Sequence, residues 1–382
     1  MSQNLDILGA ARVNKLMSAL QDQRGIPGKL VFLSRTPVVP ASDGEIMARF
    51  LGHVLIADLI ADGQRAPTYS AGKMYLEGNA APNLKIGQSL NQEQLNQLNA
   101  VQNNVQIEDN LFPATESRIL ENLLLGVQQR MEILCIAARI GGYNYDRLGI
   151  KMSGVTFGMP SDLQINPSNY WTDTVNATPV SDILAAKRLG QVKYGIAYDR
   201  ITMTLATFNA MIANNEYQTK ARIALAPNAS FVNTTLSNTS FQQSIAQNVL
   251  GVTIEIYDQR FWGQNTDGTI SMGAALPLNK VILESSQNDN NANVIDFANG
   301  VVTESLINGN ASGMTGQLPR ASRGPVAYTS SEHNPPSTTY WAVARGFPRR
   351  HLLQASACLT VAPDTGAGSI NETIGFGEIA LG

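Results

Sequence analysis

Three histidines, His53, His333 and His351, and two cysteines, Cys135 and Cys358, are the residues of this 382-residue chain best suited to metal or nucleophilic chemistry. No histidine stands within a residue or two of another histidine or a cysteine, so the local spacing of a zinc site is missing. Both cysteines sit in apolar runs, which describes buried thiols rather than exposed thiolates. Two cysteines cannot build a disulfide framework. The segment Gly309-Asn310-Ala311-Ser312-Gly313-Met314-Thr315-Gly316 has the glycine content of a phosphate cradle. It lacks the Lys-Ser/Thr that should follow, and no strand–helix pair flanks it, so it reads as a loop. No Gly-x-Ser-x-Gly elbow occurs. The acidic pairs Asp43/Glu45 and Glu116/Glu121 fit a strand edge and a helix surface better than an acid–base dyad. Arg349 and Arg350 follow Pro348 between two expected strands, and Arg320 and Arg323 precede them in an irregular segment. Solvated surface charge is the plain reading of these arginines. Carboxylate pairs between subunits, or contact with a polyanion, are the functional ones. The expectation is a protein that is not an enzyme and uses no cofactor or metal.

Hydrophobic residues make up 43% of the chain, enough for a substantial core, while charged residues make up only 15%, below the ~25% usual for soluble proteins. The net charge of −3 argues against a broad basic face for nucleic acid. No window approaches the ~18 apolar residues of a membrane span. The start, MSQNLDILGA, has neither the basic region nor the apolar run of a secretory signal, so a reducing cytosolic setting is expected.

The element that should position everything else is a helix over 113–140, the longest helical pattern in the chain. Thr115 is its expected N-cap, Glu116 lies in its first turn, and Arg139 and Gly141-Gly142 mark its end. Leu120, Leu124, Val127, Met131, Leu134 and Ala138 line one face, and Gln128, Gln129, Arg130 and Glu132 keep the other polar. The apolar stripe widens toward the C-terminal end, so that end should be sandwiched and the other covered on one side only. Before the helix come an amphipathic segment over 5–20, a short strand Leu30–Leu33, and a long hairpin with strands over 45–60 and 65–76. An amide-rich connector follows over 88–110. An isolated hairpin is marginal in water, so this one needs a cover. After the helix, 143–157 reads as a hairpin-like return. Thr178-Pro179 starts a helix, 201–204 is a strand, and Thr207 caps another helix. A helix over 244–250, strands at 252–257 and 281–283, and a hairpin around Asp267-Gly268 follow. Two strands, 340–344 and 355–361, flank Phe347–His351, and the glycine-rich stretch after Pro363 reads as an arm-like tail.

Several stretches, in this order, carry a resemblance. They are Arg130-Met131-Glu132-Ile133-Leu134 with Ala137, Ile140 and Gly141; Trp171 with Thr178-Pro179-Val180-Ser181-Asp182-Ile183; Asn248–Val252 through Tyr257-Asp258 and Asp267-Gly268; and Pro335-Pro336 with Val343–Pro348. Over residues 30–362 the chain resembles tailed-bacteriophage major capsid proteins of the Hong Kong 97-type fold, and most of all the lambda-type phage major capsid protein E family. The resemblance implies an α+β fold. Its parts would be an N-terminal arm (1–40), an E-loop β-hairpin (41–80), a P domain (81–175) with the spine helix 113–140, an α/β A domain (176–330), P-domain return strands (331–362) and a C-terminal tail (363–382). It implies a head protein that self-assembles through pentamers and hexamers into an icosahedral shell around double-stranded DNA, built in the bacterial host cytoplasm and resident in the virion. The alternative within the same fold is an encapsulin-like compartment. The implied partners are the chain itself, a separate scaffolding protein, a portal, a decoration protein and packaged DNA on the inner face, with no membrane. The residues assigned to assembly or lumenal contacts are Arg65 and Lys73 in the hairpin, Arg130 on the helix, and Arg349 and Arg350.

Overall fold

The computed structural model describes residues 30–40, 47–50, 74–77, 82–90, 93, 111–147, 150–155, 157–225, 239–264, 270–300, 302, 325–333 and 336–363. The amphipathic segment 5–20, most of the connector 88–110, the turn at Asp267-Gly268, the glycine-rich 309–316 and the tail from 364 lie outside them.

The described chain opens on a single helical turn, α1 (Val31–Ser34). A strand was expected here. Both the Phe32 and Leu33 N–H groups donate to the one carboxylate of Glu132, at 3.0 and 2.5 Å. Successive N–H groups of a strand point to opposite sides and could not share that acceptor. β1 (Val38–Pro40) follows, then β2 (Met47–Phe50) and β3 (Met74–Glu77), which pair antiparallel from Met47↔Glu77 to Phe50↔Met74. β4 (Asn83–Leu90) runs into the start of the amide-rich stretch expected over 88–110.

The long helix, α2, runs Leu111–Ile140, 30 residues, or about 45 Å at ~1.5 Å per residue. It starts earlier than expected, so Thr115 lies inside it rather than capping it, and Pro113 falls in the first turn, where no backbone donor is lost. The predicted asymmetry is present. Residues 131–140 are all buried, whereas Arg118, Glu121 and Asn122 on the earlier turns are exposed. Glu132 departs from the expected polar face: it is completely buried. Gly141, at φ +76, closes the helix by donating its N–H to the Ala137 carbonyl.

β5 (Tyr143–Arg147) and β6 (Ile150–Val155) form the expected antiparallel return, and β7 (Gln164–Ile165) is short. α3 (Pro179–Tyr194) has Pro179 at its first position, as the sequence implies. Thr178 stands at the cap position without capping. Instead the Glu216 carboxylate accepts from the Val180 and Ser181 N–H groups, placing negative charge at the positive end of the helix. β8 (Arg200–Met203) leads into α4 (Leu205–Ala213), whose cap is Thr204 rather than Thr207. α5 (Asn215–Leu225) and α6 (Thr239–Leu250) precede β9 (Thr253–Ile256), the hairpin β10 (Arg260–Gln264) and β11 (Ile270–Ala274), and β12 (Lys280–Glu284). β13 (Ile295–Asn299) and β14 (Val326–His333) were not anticipated. β15 (Pro336–Arg350) and β16 (Ser356–Thr360) end the described chain.

Two five-stranded sheets result. In one, the order is β1-β13-β15-β14, with β4 also paired to β15; in the other it is β7-β16-β12-β8-β9. α2 lies on β4 and β15 of the first sheet, and it also reaches β12 and β16 of the second. This double contact explains why its C-terminal ten residues are buried all round. Sheet membership crosses the expected boundary at 330. β13 joins the 331–362 strands, while β16 joins β12, β8 and β9.

β15 passes through Phe347–Arg350 instead of ending before it. Phe297 donates its N–H to the Pro37 carbonyl on the far side, so Phe297↔Pro348 is a non-hydrogen-bonded pair. The Pro348 nitrogen therefore faces the other edge, the side on which Gly346 donates to the Pro82 carbonyl; the β4 pairing ends there at Arg345↔Asn83, before Pro348 is reached, and no ladder bond is lost. The outer edge of β9 is blunted in a different way: the Gln243 and Gln247 amides of α6 both donate to the Ile254 carbonyl.

Candidate functional site

Where α2 meets the second sheet, six charged side chains alternate in sign. Arg139, in the last turn of α2, pairs with Glu284 of β12 through Nε–Oε1 at 2.5 Å. Glu284 pairs with Arg200 of β8 at 3.1 Å, and Arg200 pairs with Asp289 at 2.6 Å. Arg35, just after α1, approaches Asp289 at 3.8 Å. It also forks onto both oxygens of Glu255 on β9 at 2.8 Å each. Arg139 and Glu284 are the most enclosed pair, with side chains 5% and 7% exposed. Their charges cancel along the chain, as buried charges must. Burial works against the Arg200 charge, and Asp289 and Glu284 outweigh it, so its guanidinium is held protonated. Arg139 also donates to the Thr36 hydroxyl at 3.0 Å and to the Cys135 carbonyl at 3.1 Å. The network ties α2, the segment after α1 and three strands into one unit.

Beside it lies the Glu132 carboxylate. Burial pushes its pKa up, while the Phe32 and Leu33 N–H groups, the Tyr257 hydroxyl and Arg139 pull it back; the net direction is upward. Tyr257 packs edge-on against Phe32, ring centroids 5.2 Å apart. The Cys135 thiol, fully buried nearby, is pushed up to about 12 by burial, and Cys358 to about 11 by the same cause. Neither is a reactive thiolate, as their apolar surroundings implied.

The residues singled out in sequence fall elsewhere. Arg65, Lys73 and His53 lie outside the described residues. Arg130 is half-buried on α2. Arg350 is not on the surface: it is fully buried and donates to the carbonyls of Ala138, Ser356 and Leu352. Through Ala138 it satisfies one of the carbonyls that the end of α2 leaves open. Arg349 forks onto Asp296 of β13 with bonds of 2.9 and 2.6 Å, and His351 Nε2 stands 3.3 Å from the same carboxylate. Burial alone would raise the Asp296 carboxyl; the His351 and Arg349 bonds and charges hold it below its usual value. Both arginines thus act inside the subunit, because β15 continues through them rather than looping out.

The residues of the ion-pair chain were missed, although some leave a signal. Arg139, Glu255 and Glu284 are single charges set in otherwise apolar runs, in a chain poor in charge. Such a charge must find a partner when its neighbours are buried. Every member here is an ion-pair or hydrogen-bond partner of another, which makes the arrangement a brace. Among the described residues, no group of three or more His, Cys, Asp or Glu side chains is set to hold a metal ion. No helix among them is long and apolar enough to cross a membrane.

No family model matches the chain. No curated protein matches it in sequence. The fold has counterparts among solved structures. It is similar to a proposed capsid protein of a prophage in Escherichia coli CFT073, at TM-score 0.53 and 13% identity, over 92% of this chain and 99% of that one. It is also similar to a phage-related protein from Bordetella bronchiseptica RB50, at TM-score 0.52 and 14% identity, over 91% of this chain and 97% of that one. Identities this low carry the fold and not the lambda-type family within it. What the chain shares with these proteins is the fold, a mixed α+β architecture along nearly the whole of each chain.

Proposed function

We propose that the chain is the repeating subunit of a closed protein shell, the major capsid protein of a phage head, assembling through pentamers and hexamers around double-stranded DNA. The observation that carries this reading is the likeness along almost the whole length of both chains to the proposed prophage capsid protein. Subunit architecture supports it. One 30-residue helix braces two sheets through buried ion pairs, which suits a plate that must keep its shape under many weak, symmetry-related contacts. In this reading α2 is the spine, β4 and β13–β15 with α2 form the P domain, and β7, β8, β9, β12 and β16 with α3–α6 form the A domain. The β2–β3 pair is the base of the E-loop. Arg65, Lys73 and Arg130 serve assembly or lumenal contacts, with a separate scaffolding protein, a portal and a decoration protein as further partners.

Electron microscopy of the purified protein, alone and with its scaffold, tests this. Shells, or rings of five and six subunits, are expected. A strictly monomeric protein under every condition overturns the reading. Shells filled with a protein cargo and lacking DNA would point to a storage compartment instead.

A further inference from the structure

α3 carries an exposed stripe that the brace and core leave unused. Leu184 is 41% exposed and Val192 78%, and exposed Arg188 lies midway between them. No carboxylate among the described residues pairs with Arg188. Single exposed apolar residues are ordinary. The spacing is what sets these apart. Leu184, Arg188 and Val192 recur every four residues, so they form one row about 12 Å long at ~1.5 Å per residue.

Residues 364–382 contain Asp364, Glu372 and Glu378 and no Lys, Arg or His. Within them Ile370, Glu372 and Ile374 alternate, with Phe376 next in the series. In an extended chain these side chains share a side, and Ile370 to Ile374 spans about 13 Å at ~3.3 Å per residue. An acidic residue between two isoleucines therefore matches, in length and charge, an arginine between Leu184 and Val192.

The point where the described chain ends favours the same pairing. The Trp171 N–H donates to the Val361 carbonyl at 2.8 Å, and the Trp171 indole donates to Asp182 on α3 at 3.0 Å. The chain thus leaves beside the first turns of α3. From Pro363 to Ile370 an extended chain covers about 23 Å, against a helix diameter of ~10–12 Å, so the stripe is within reach.

We propose that residues 370–376 of this same chain lie extended along the Leu184–Arg188–Val192 row of α3, with Glu372 paired to Arg188. The occupant is the chain's own C-terminal segment. The docked segment covers apolar surface on the free subunit that a second copy could otherwise take.

A photoreactive amino acid at Val192 in the full chain reads the occupant directly, in a dilute equal mixture of isotopically light and heavy protein. The expected crosslinks join residue 192 to peptides from 364–382, light with light and heavy with heavy. Arg188→Glu, or Glu372→Arg alone, should lower their yield by about threefold or more, the effect of losing and reversing an exposed ion pair, and the two together should restore it. Arg188 is exposed, so circular dichroism of each variant should match the parent. Light–heavy crosslinks, crosslinks to another segment, or none at all would each overturn the proposal. The measurement uses unassembled subunits, so its outcome is separate from whether the protein forms shells.

Discussion

Tyr257, just past β9, donates its hydroxyl to Glu132 Oε1 of α2 at 2.8 Å, and the same carboxylate holds the N–H groups of Phe32 and Leu33. One buried acid thus fixes the entry segment, the long helix and the second sheet together. Tyr257→Phe removes one donor to a charged acceptor and should cost about 1.5–3 kcal/mol in urea denaturation. Glu132→Ala should cost more, because two buried N–H groups lose their acceptor. The pair should be non-additive, since both changes break the same cluster. The pH dependence follows from the upward shift of Glu132. The folded state holds this proton more tightly than the unfolded chain, so stability is fullest below the ordinary carboxylate value and falls as pH rises through the folded one. Tyr257→Phe should extend that decline to higher pH, and Glu132→Gln should abolish it.

Arg139 and Glu284 make the second expectation. Their side chains are 5% and 7% exposed, and Arg139 has no water to turn to if Glu284 is lost. Glu284→Ala should destabilise by about 3–5 kcal/mol, since it leaves buried positive charge on Arg139 uncompensated. Arg139→Met in the same protein should recover part of that loss, because it removes the stranded charge and fills the space with an apolar chain. Thermal or chemical denaturation of the four proteins gives the coupling. Equal and additive losses would mean that the two side chains are not paired in solution.

The third expectation lies on the acid side. Although burial opposes it, the His351 and Arg349 interactions hold Asp296 ionised to lower pH than usual. A depressed carboxyl contributes stability above its unfolded pKa, near the ordinary 3.8, and loses that contribution as pH falls through the folded value. Asp296→Asn should therefore lower stability at neutral pH and flatten the acid limb of the stability curve below about pH 4. Arg349→Lys should give a milder version, because a lysine cannot fork onto both carboxylate oxygens.

These sites also show where sequence patterns carry and where they stop. The widening stripe on α2 was legible because helical period and burial coincide over 131–140. The strand expected over 252–257 and the Thr178-Pro179 start were legible because they are local. Glu132 was placed on the wrong side because periodicity ranks residues by polarity, and its three partners come from positions 32, 33 and 257. The arginines at 349 and 350 were read as surface charge for the same reason. Their acceptors lie on β13, α2 and β16, and a proline beside them suggested a loop. Long-range pairing was the missing information, and it also hid β13 and β14, whose partner is β15.

The last expectation concerns assembly. Among the described strands, β2 and β3 pair only with each other and belong to neither five-stranded sheet. Their register sets Met47 opposite Glu77, so the two chain ends at the base lie about 5 Å apart. Replacing residues 48–76 by a short glycine–serine link therefore bridges Met47 to Glu77 across that distance. Neither the brace around Arg139 nor the bonds to Glu132 involve residues in the excised stretch. The shortened chain should remain a soluble, cooperatively melting monomer by light scattering and calorimetry. If the hairpin serves as the arm that engages a neighbouring subunit, the same protein should no longer close into shells under the electron microscope. Normal shells from the shortened chain would remove the hairpin from assembly, and loss of the cooperative melt would show that it belongs to the subunit's own core.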